Sequence, residues 1–337
     1  MTHKTNVEIT GTEPVLLAVY VEEFDENNPL SGLRVGERPA PEVLPGWVRV
    51  RVEAASLNHH DIWSLRGVGL PEDKLPMILG CDAAGIAPDG SEVIVHSVIG
   101  DGSKTGGDET LDPKRSLLSE VYPGTLAEKV SVPAGNVIPK PAGMSWEEAA
   151  SLPTAWLTAY RMLFTKAQVE AGQTILVQGA GGGVATAAIA IAKAAGVTVW
   201  ATSRSEAKRA KAEELGAAET FEPGARLPGR VDAVIETVGD ATFGHSLKSV
   251  RPGGRVVVCG STSGGVTPLE LQRTFFLQLE ILGSTMGTKA EFAALLDFLA
   301  KHGVKPPVDS TFPLADARAA FAKLYDGDVF GKIVLTN

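Results

Sequence analysis

The residues of this 337-residue chain best suited to chemistry are a glycine-rich run, Gln178-Gly179-Ala180-Gly181-Gly182-Gly183-Val184-Ala185. It ends a short apolar stretch, Thr174 to Gln178, and opens a helix of small residues from Val184 to Ala195 that Gly196 closes. Between a strand and a helix, such a run is the pattern of a dinucleotide phosphate cradle. Glycines let the backbone turn tightly and approach a pyrophosphate, while the helix N-terminus presents free N–H donors and a positive dipole end. Gly179, Ala180, Gly181, Gly182, Gly183 and Val184 are therefore the expected pyrophosphate contacts. Ala185 replaces the usual third glycine, a tolerated change. The plain alternative is a glycine-rich structural turn.

The choice of dinucleotide is read some 20 residues further on, where an NAD site places an acid to hold the ribose 2′-hydroxyl. The strand Val197 to Ala201 leads instead into Thr202-Ser203-Arg204-Ser205, and the first acid, Glu206, already begins the next helix. Arg204 and Lys208, with Ser203 as a hydroxyl donor, suit a 2′-phosphate, so NADPH is the expected cofactor. Otherwise the two cations are solvated residues at a helix start.

The elements that must position this turn follow from the rhythm of the chain. Strands at Thr174–Gln178, Val197–Ala201, Val231–Glu236, Arg255–Cys259 and Leu279–Gly283 alternate with helices at Ser205–Leu215 and Thr242–Val250. The alternation predicts an α/β fold with a doubly wound parallel sheet. Glu236-Thr237-Val238-Gly239 and Gly260-Ser261-Thr262 end two of these strands, where such a sheet binds ligands. Upstream the chain is strand-rich, at Val15–Val21, Trp47–Ala54 and Val93–His96. A polar, glycine-rich stretch from His96 to Tyr122 has no periodicity and is expected to border the cleft as a mobile loop. An amphipathic helix at Lys289–Lys301 and a last strand at Lys332–Leu335 complete the chain, which has no internal repeat.

Length suits two domains. Lys and Arg total 31 against 40 Asp and Glu, a formal charge of −9, which favours solubility and offers no global pull on nucleic acid. Cys81 and Cys259 are the only cysteines; they make no disulfide framework and suit a reducing cytoplasm. Met1 to Glu13 is polar and lacks a signal-peptide core, and no stretch reaches the roughly 20 apolar residues of a membrane span. A small-molecule substrate is the expected partner, with neither nucleic acid nor membrane.

Five further segments carry a resemblance along nearly the whole chain: Leu57-Asn58-His59-His60-Asp61-Ile62-Trp63, Pro76 to Gly85, Gly124 to Glu128, Leu152 to Tyr160 and Phe330 to Leu335. With the glycine turn, they resemble the medium-chain dehydrogenase/reductase superfamily, in particular its zinc-free quinone oxidoreductase-like branch. The resemblance implies a strand-rich GroES-like catalytic domain over residues 1–153 and 287–337. It places a Rossmann dinucleotide-binding domain over 154–286, with nicotinamide in the cleft and a homodimer joined near Leu279–Ser284. Thr158, Thr285 and Met286 resemble cofactor-facing residues, and Lys332 is either a contact to a cofactor phosphate or a surface charge. The zinc enzymes of the superfamily place cysteine and histidine ligands at positions that read Asn58, Cys81 and Thr154 here, and a following glutamate matches Asp82. Asparagine and threonine are poor zinc ligands, and the stretch matching the structural-zinc lobe has no cysteine, so no metal is expected. His59, His60, Asp61, Cys81 and Asp82 remain a ligand set on paper, but adjacent histidines in an extended segment face opposite ways.

Without metal, the protein must hold the nicotinamide face-on to an electrophilic carbon and offer hydrogen bonds to developing negative charge. Asn58 is the expected polar contact to nicotinamide or substrate oxygen, and Asp61 a group that orients its neighbours. His59, Trp63 and Trp156 are candidate pocket walls or, equally, packing residues. Three functions follow: a zinc-free NADPH-dependent reductase of quinones or α,β-unsaturated carbonyls; an alcohol or aldehyde dehydrogenase with an unusual or lost metal site; or a weakly catalytic NADPH sensor or RNA binder.

Overall fold

The computed structural model describes residues 15–337, so the expectation for Met1 to Glu13 lies outside the described residues. Residues 174–283 form a six-stranded, wholly parallel sheet. Its order is Glu219–Phe221, Thr198–Thr202, Thr174–Val177, Val231–Glu236, Val250–Val258, Glu280–Gly283. The order runs outward in both directions from Thr174–Val177. The crevice at the carboxyl ends of the strands, where the winding reverses, is the ligand site of such sheets. The helices Gly183–Ala194, Glu206–Leu215 and Asp240–Ser249 link successive strands as the alternation predicts. The Val250–Val258 strand begins five residues earlier than its apolar run suggests. The register jumps from Val231↔Val250 to Ala233↔Arg255, so Pro252-Gly253-Gly254 is absorbed as a bulge and not as a separate turn.

Of the remaining strands, Leu33–Pro39, Val15–Val21 and Met77–Ile78 form a separate three-stranded sheet, and seven others build a sheet centred on Trp47–Ser56. Its first half pairs with Lys129–Pro133 and its second half with the last strand, Lys332–Thr336, through Val334↔Ser56. The Leu57 N–H then donates to Ile333 O at 3.0 Å. This pairing across almost the full length of the chain sets Lys332 beside Leu57 and Asn58. A helical run over residues 146–166 joins the two sheets; Leu152, Trp156, Leu157 and Met162 from it lie in one core with Ile175, Ile189, Ile235 and Phe292. Among the described residues no helix is long and apolar enough to cross a membrane.

The 96–122 stretch has structure that periodicity does not reveal. Val98–Ile99 pairs with Ser116–Leu117, and Asp101 and Asp108 cap two short turns by accepting from Ser103 N and Thr110 N. Asp108 also accepts from Arg161, and Glu109 from Lys289 N at 2.7 Å.

Candidate active site

The glycine turn has the shape of a cradle. Gly179 and Gly181 have φ of +78° and +129°, conformations that L side chains rarely adopt. A Cβ at Gly182 would meet nothing within 4 Å, so open space stands over the turn. The first bond of the following helix runs from Thr186 N to Gly182 O, which leaves the N–H groups of Gly183, Val184 and Ala185 as helix-end donors. These residues fit a dinucleotide pyrophosphate. Beside them, Thr237 Oγ1 donates to Gln178 O, and Val238 packs against Gly179.

At the end of the neighbouring strand Ser203 is buried and Arg204 is exposed with no acid in the strand end. Lys208 differs from expectation: its ammonium donates to Gly327 O at 2.5 Å, so this cation is already engaged. Gly260 and Ser261 line a cavity of about 500 Å³ with Thr110, Arg115, Arg161 and Thr285. Thr285 and Met286 line a second of about 330 Å³ that shares Thr110 and Arg115 and adds Leu117 and Glu120. The 96–122 stretch thus borders the cleft. Thr262 is exposed, and Thr158 is buried on the helical run.

The catalytic candidates fall into two groups. His59 and His60 are not extended: they begin the helix His59–Leu65, because Asp61 accepts from Asn58 N at 2.8 Å and closes the helix start. His59 keeps one side exposed at the helix start while the surrounding protein desolvates its ring; that desolvation and then the charge of Lys332 hold it below the ordinary histidine value. His60 turns inward, with Nδ1 3.4 Å from Cys81 Sγ and Nε2 3.3 Å from Glu120 Oε1. Burial opposes charge on His60, but Cys81 and Glu120 outweigh it and hold the imidazole well above its usual value. Burial pushes the Cys81 thiol up, opposed by the neighbouring His60. Asp61 is wholly buried, accepts from Gly80 N as well, and is pushed up to about 6 by burial. Its two oxygens hold Asn58 N and Gly80 N, which ties the start of the helix to the neighbouring segment. Trp63 is half-buried under the Arg66 guanidinium and borders neither cavity. Trp156 is wholly buried in the core and is no pocket wall.

The second group overturns two expectations. Lys332 is 2% exposed, so it is no surface charge, and its ammonium is turned to protein acceptors beyond the glycine turn. Its ammonium donates to Asn58 Oδ1 at 2.6 Å, Leu57 O at 2.7 Å and Asp82 Oδ2 at 3.2 Å. Asn58 Nδ2 in turn donates to Asp82 Oδ2 at 2.9 Å, so its amide is spent inside the protein rather than offered to a substrate oxygen. Asp82 completes its shell with Ser56 Oγ at 2.8 Å and Thr154 Oγ1 at 2.5 Å. The sequence shows these residues only as separate segments. What unites them is the pairing of Trp47–Ser56 with the last strand on one side and with Asp82–Ile86 on the other, which no local pattern announces.

Two family models match, an alcohol dehydrogenase GroES-like domain over residues 44–142 and a zinc-binding dehydrogenase over residues 183–301. A solved NAD-dependent alcohol dehydrogenase is 35% identical, with a TM-score of 0.86 over 95% of this chain and 99% of that one. The 2-octenoyl-CoA carboxylase reductase CinF of a Streptomyces species, solved with NADP and 2-octenoyl-CoA, is 28% identical with a TM-score of 0.89 over 98% of this chain and 89% of that one. Acryloyl-coenzyme A reductase of Sulfurisphaera tokodaii is 29% identical over 91% of this chain and 97% of its own length. The chain belongs to the medium-chain dehydrogenase/reductase superfamily, with a GroES-like and a Rossmann-type domain.

The zinc named in the second family description does not fit the residues present. Asn58 Oδ1 is taken by Lys332, the Thr154 hydroxyl faces Asp82, and Cys81 Sγ is turned to His60 and Leu118 O. Among the described residues no group of three or more His, Cys, Asp or Glu side chains is arranged to hold a metal.

Proposed function

We propose that this chain is an NADPH-dependent oxidoreductase that delivers hydride to an α,β-unsaturated carbonyl or a quinone without a metal. The observation that carries the reading is that Asn58 and Thr154, at two of the matching ligand positions, are spent on Lys332 and Asp82. Alcohol oxidation in a zinc enzyme uses a Lewis acid to hold the alkoxide. A conjugated acceptor spreads the incoming charge to a distant oxygen, which hydrogen-bond donors and solvent stabilise. The likeness to CinF and to acryloyl-coenzyme A reductase supports the unsaturated carbonyl and the NADP cofactor.

When bound, the nicotinamide supplies the hydride. The chain's own residues do the rest. Gly179 to Val184 hold the pyrophosphate, and Ser203 and Arg204 hold the 2′-phosphate. Gly260, Ser261, Thr285 and Met286 bound the cleft in which the acceptor lies against the ring. Arg115, which borders both cavities, is a cation near the acceptor that sequence reasoning did not single out. The second reading, an alcohol dehydrogenase using NAD, is favoured by the 35% identity to the solved NAD-dependent enzyme. A substrate panel followed by NADPH and NADH absorbance separates the two.

A further inference from the structure

The cluster around Lys332 has a property that packing alone does not require: three acceptors converge on one buried cation, and three further donors converge on the carboxylate that balances it. The ammonium has three protons, and three acceptors meet them, Asn58 Oδ1, Leu57 O and Asp82 Oδ2. Asp82 balances the charge and is itself wholly buried. Its two oxygens are saturated by Ser56, Asn58, Thr154 and Lys332, so the carboxylate has no call on a further cation. The stem of Lys332 passes over the glycine turn: a Cβ at Gly183 would come within 2.9 Å of Lys332 Cδ, and Gly331 N donates to Gly181 O at 2.9 Å. One side chain therefore runs from the phosphate cradle to the start of the His59–Leu65 helix.

We propose that the Lys332 ammonium is the resident cation of this site, held by Asn58 and balanced by Asp82, and that it is the positioning residue tying the glycine turn to Asn58. A buried carboxylate left without its cation is costly, which is why a site of this kind keeps one. A lysine tethered by its own backbone cannot be chelated, exchanged or lost on dilution. Cation supply to this site is thereby made independent of metal availability. The inference rests on the geometry of the cluster and not on the hydride acceptor proposed above.

The test is thermal unfolding of the full chain and of Lys332→Ala, each with and without n-propylammonium, n-propanol or zinc. Propylammonium replaces the deleted stem and charge; propanol replaces the volume without the charge. Wild type is expected to hold no stoichiometric zinc by elemental analysis and to keep its melting midpoint after dialysis against a chelator. Lys332→Ala is expected to melt about 10 °C lower, with propylammonium recovering a substantial part of the loss and the other two additives little. A metal-bearing wild type, an unchanged midpoint in the variant, or recovery by zinc or by propanol as good as by propylammonium would each overturn the proposal. If Lys332→Ala is too unstable to purify, Lys332→Met with Asp82→Asn gives the same decision. The double variant, free of the stranded carboxylate, should melt above Lys332→Met alone, and a double variant that melts lower contradicts the proposal.

Discussion

Arg161 donates to Asp108 Oδ2 at 2.5 Å from a position only 3% exposed, and its other terminal nitrogen reaches Glu291 Oε2 at 2.8 Å. One guanidinium thereby fastens the 96–122 stretch to the Lys289–His302 helix at the edge of the larger cavity. Arg161→Met leaves two carboxylates facing a neutral side chain and should cost about 3–5 kcal/mol. Hydrogen exchange should show the 101–112 backbone losing protection in the variant. A stability within about 0.5 kcal/mol of wild type, with exchange unaltered, would show that this bridge does not hold the stretch.

Asp61 gives a pH signature. Its carboxyl is pushed up to about 6 in the folded chain against 3.8 ordinarily. The folded state thus binds the proton more tightly, so this group's contribution is favourable at low pH and is lost as pH rises from about 4 through 6. Asp61→Asn removes the titration and also one of the two backbone acceptors that serve Asn58 N and Gly80 N. The variant should be less stable than wild type at every pH, and the gap should shrink by at most about 3 kcal/mol between pH 4 and pH 7. Denaturant melts at the two pH values measure this; a gap that widens contradicts the assignment.

Cofactor choice is the most local prediction. Arg204→Ala should raise the NADPH Michaelis constant roughly tenfold to a hundredfold with little effect on NADH, since one charge-assisted bond to the 2′-phosphate is lost. Lys208→Ala should do less, because its ammonium is occupied by Gly327 O. Equal weakening of both cofactors in Arg204→Ala would mean that the strand end at Thr202 to Arg204 does not read the phosphate.

The short edge strand Glu219–Phe221 has no apolar run and was missed, but the other five of the six Rossmann strands were legible to within about five residues because their apolar runs are bounded by glycines and helix caps. The cradle was legible for the same reason: its chemistry lies in eight consecutive residues. Lys332, Asn58 and Asp82 were legible one by one but not as a cluster, since they meet only through the antiparallel pairing of Trp47–Ser56 with both the last strand and Asp82–Ile86. The His59–Leu65 helix was hidden by two histidines at its start. The signal present was Asp61, three residues after Asn58 at the position of a capping-box acid.

Assembly is testable at one face. Phe275 and Phe276 are 67% and 81% exposed on the short Leu271–Phe276 helix, just before the edge strand Glu280–Gly283. Apolar side chains beside an open strand edge fit a second copy of the chain. Light scattering should give a dimer mass for wild type and a monomer for Phe275→Asp with Phe276→Asp. A monomeric wild type at micromolar concentration would refute the homodimer.

The central claim is that hydride from NADPH goes to a conjugated acceptor in a site whose cation is a lysine. The most direct measurement follows NADPH absorbance with metal-stripped protein against 2-enones, 2-enoyl thioesters and quinones, with primary alcohols and NAD or NADP run in the opposite direction. NADPH oxidation with at least one conjugated acceptor, unaffected by chelator, and no alcohol oxidation is the expected result. Alcohol oxidation that appears only on adding zinc, with every conjugated acceptor inert, would contradict it.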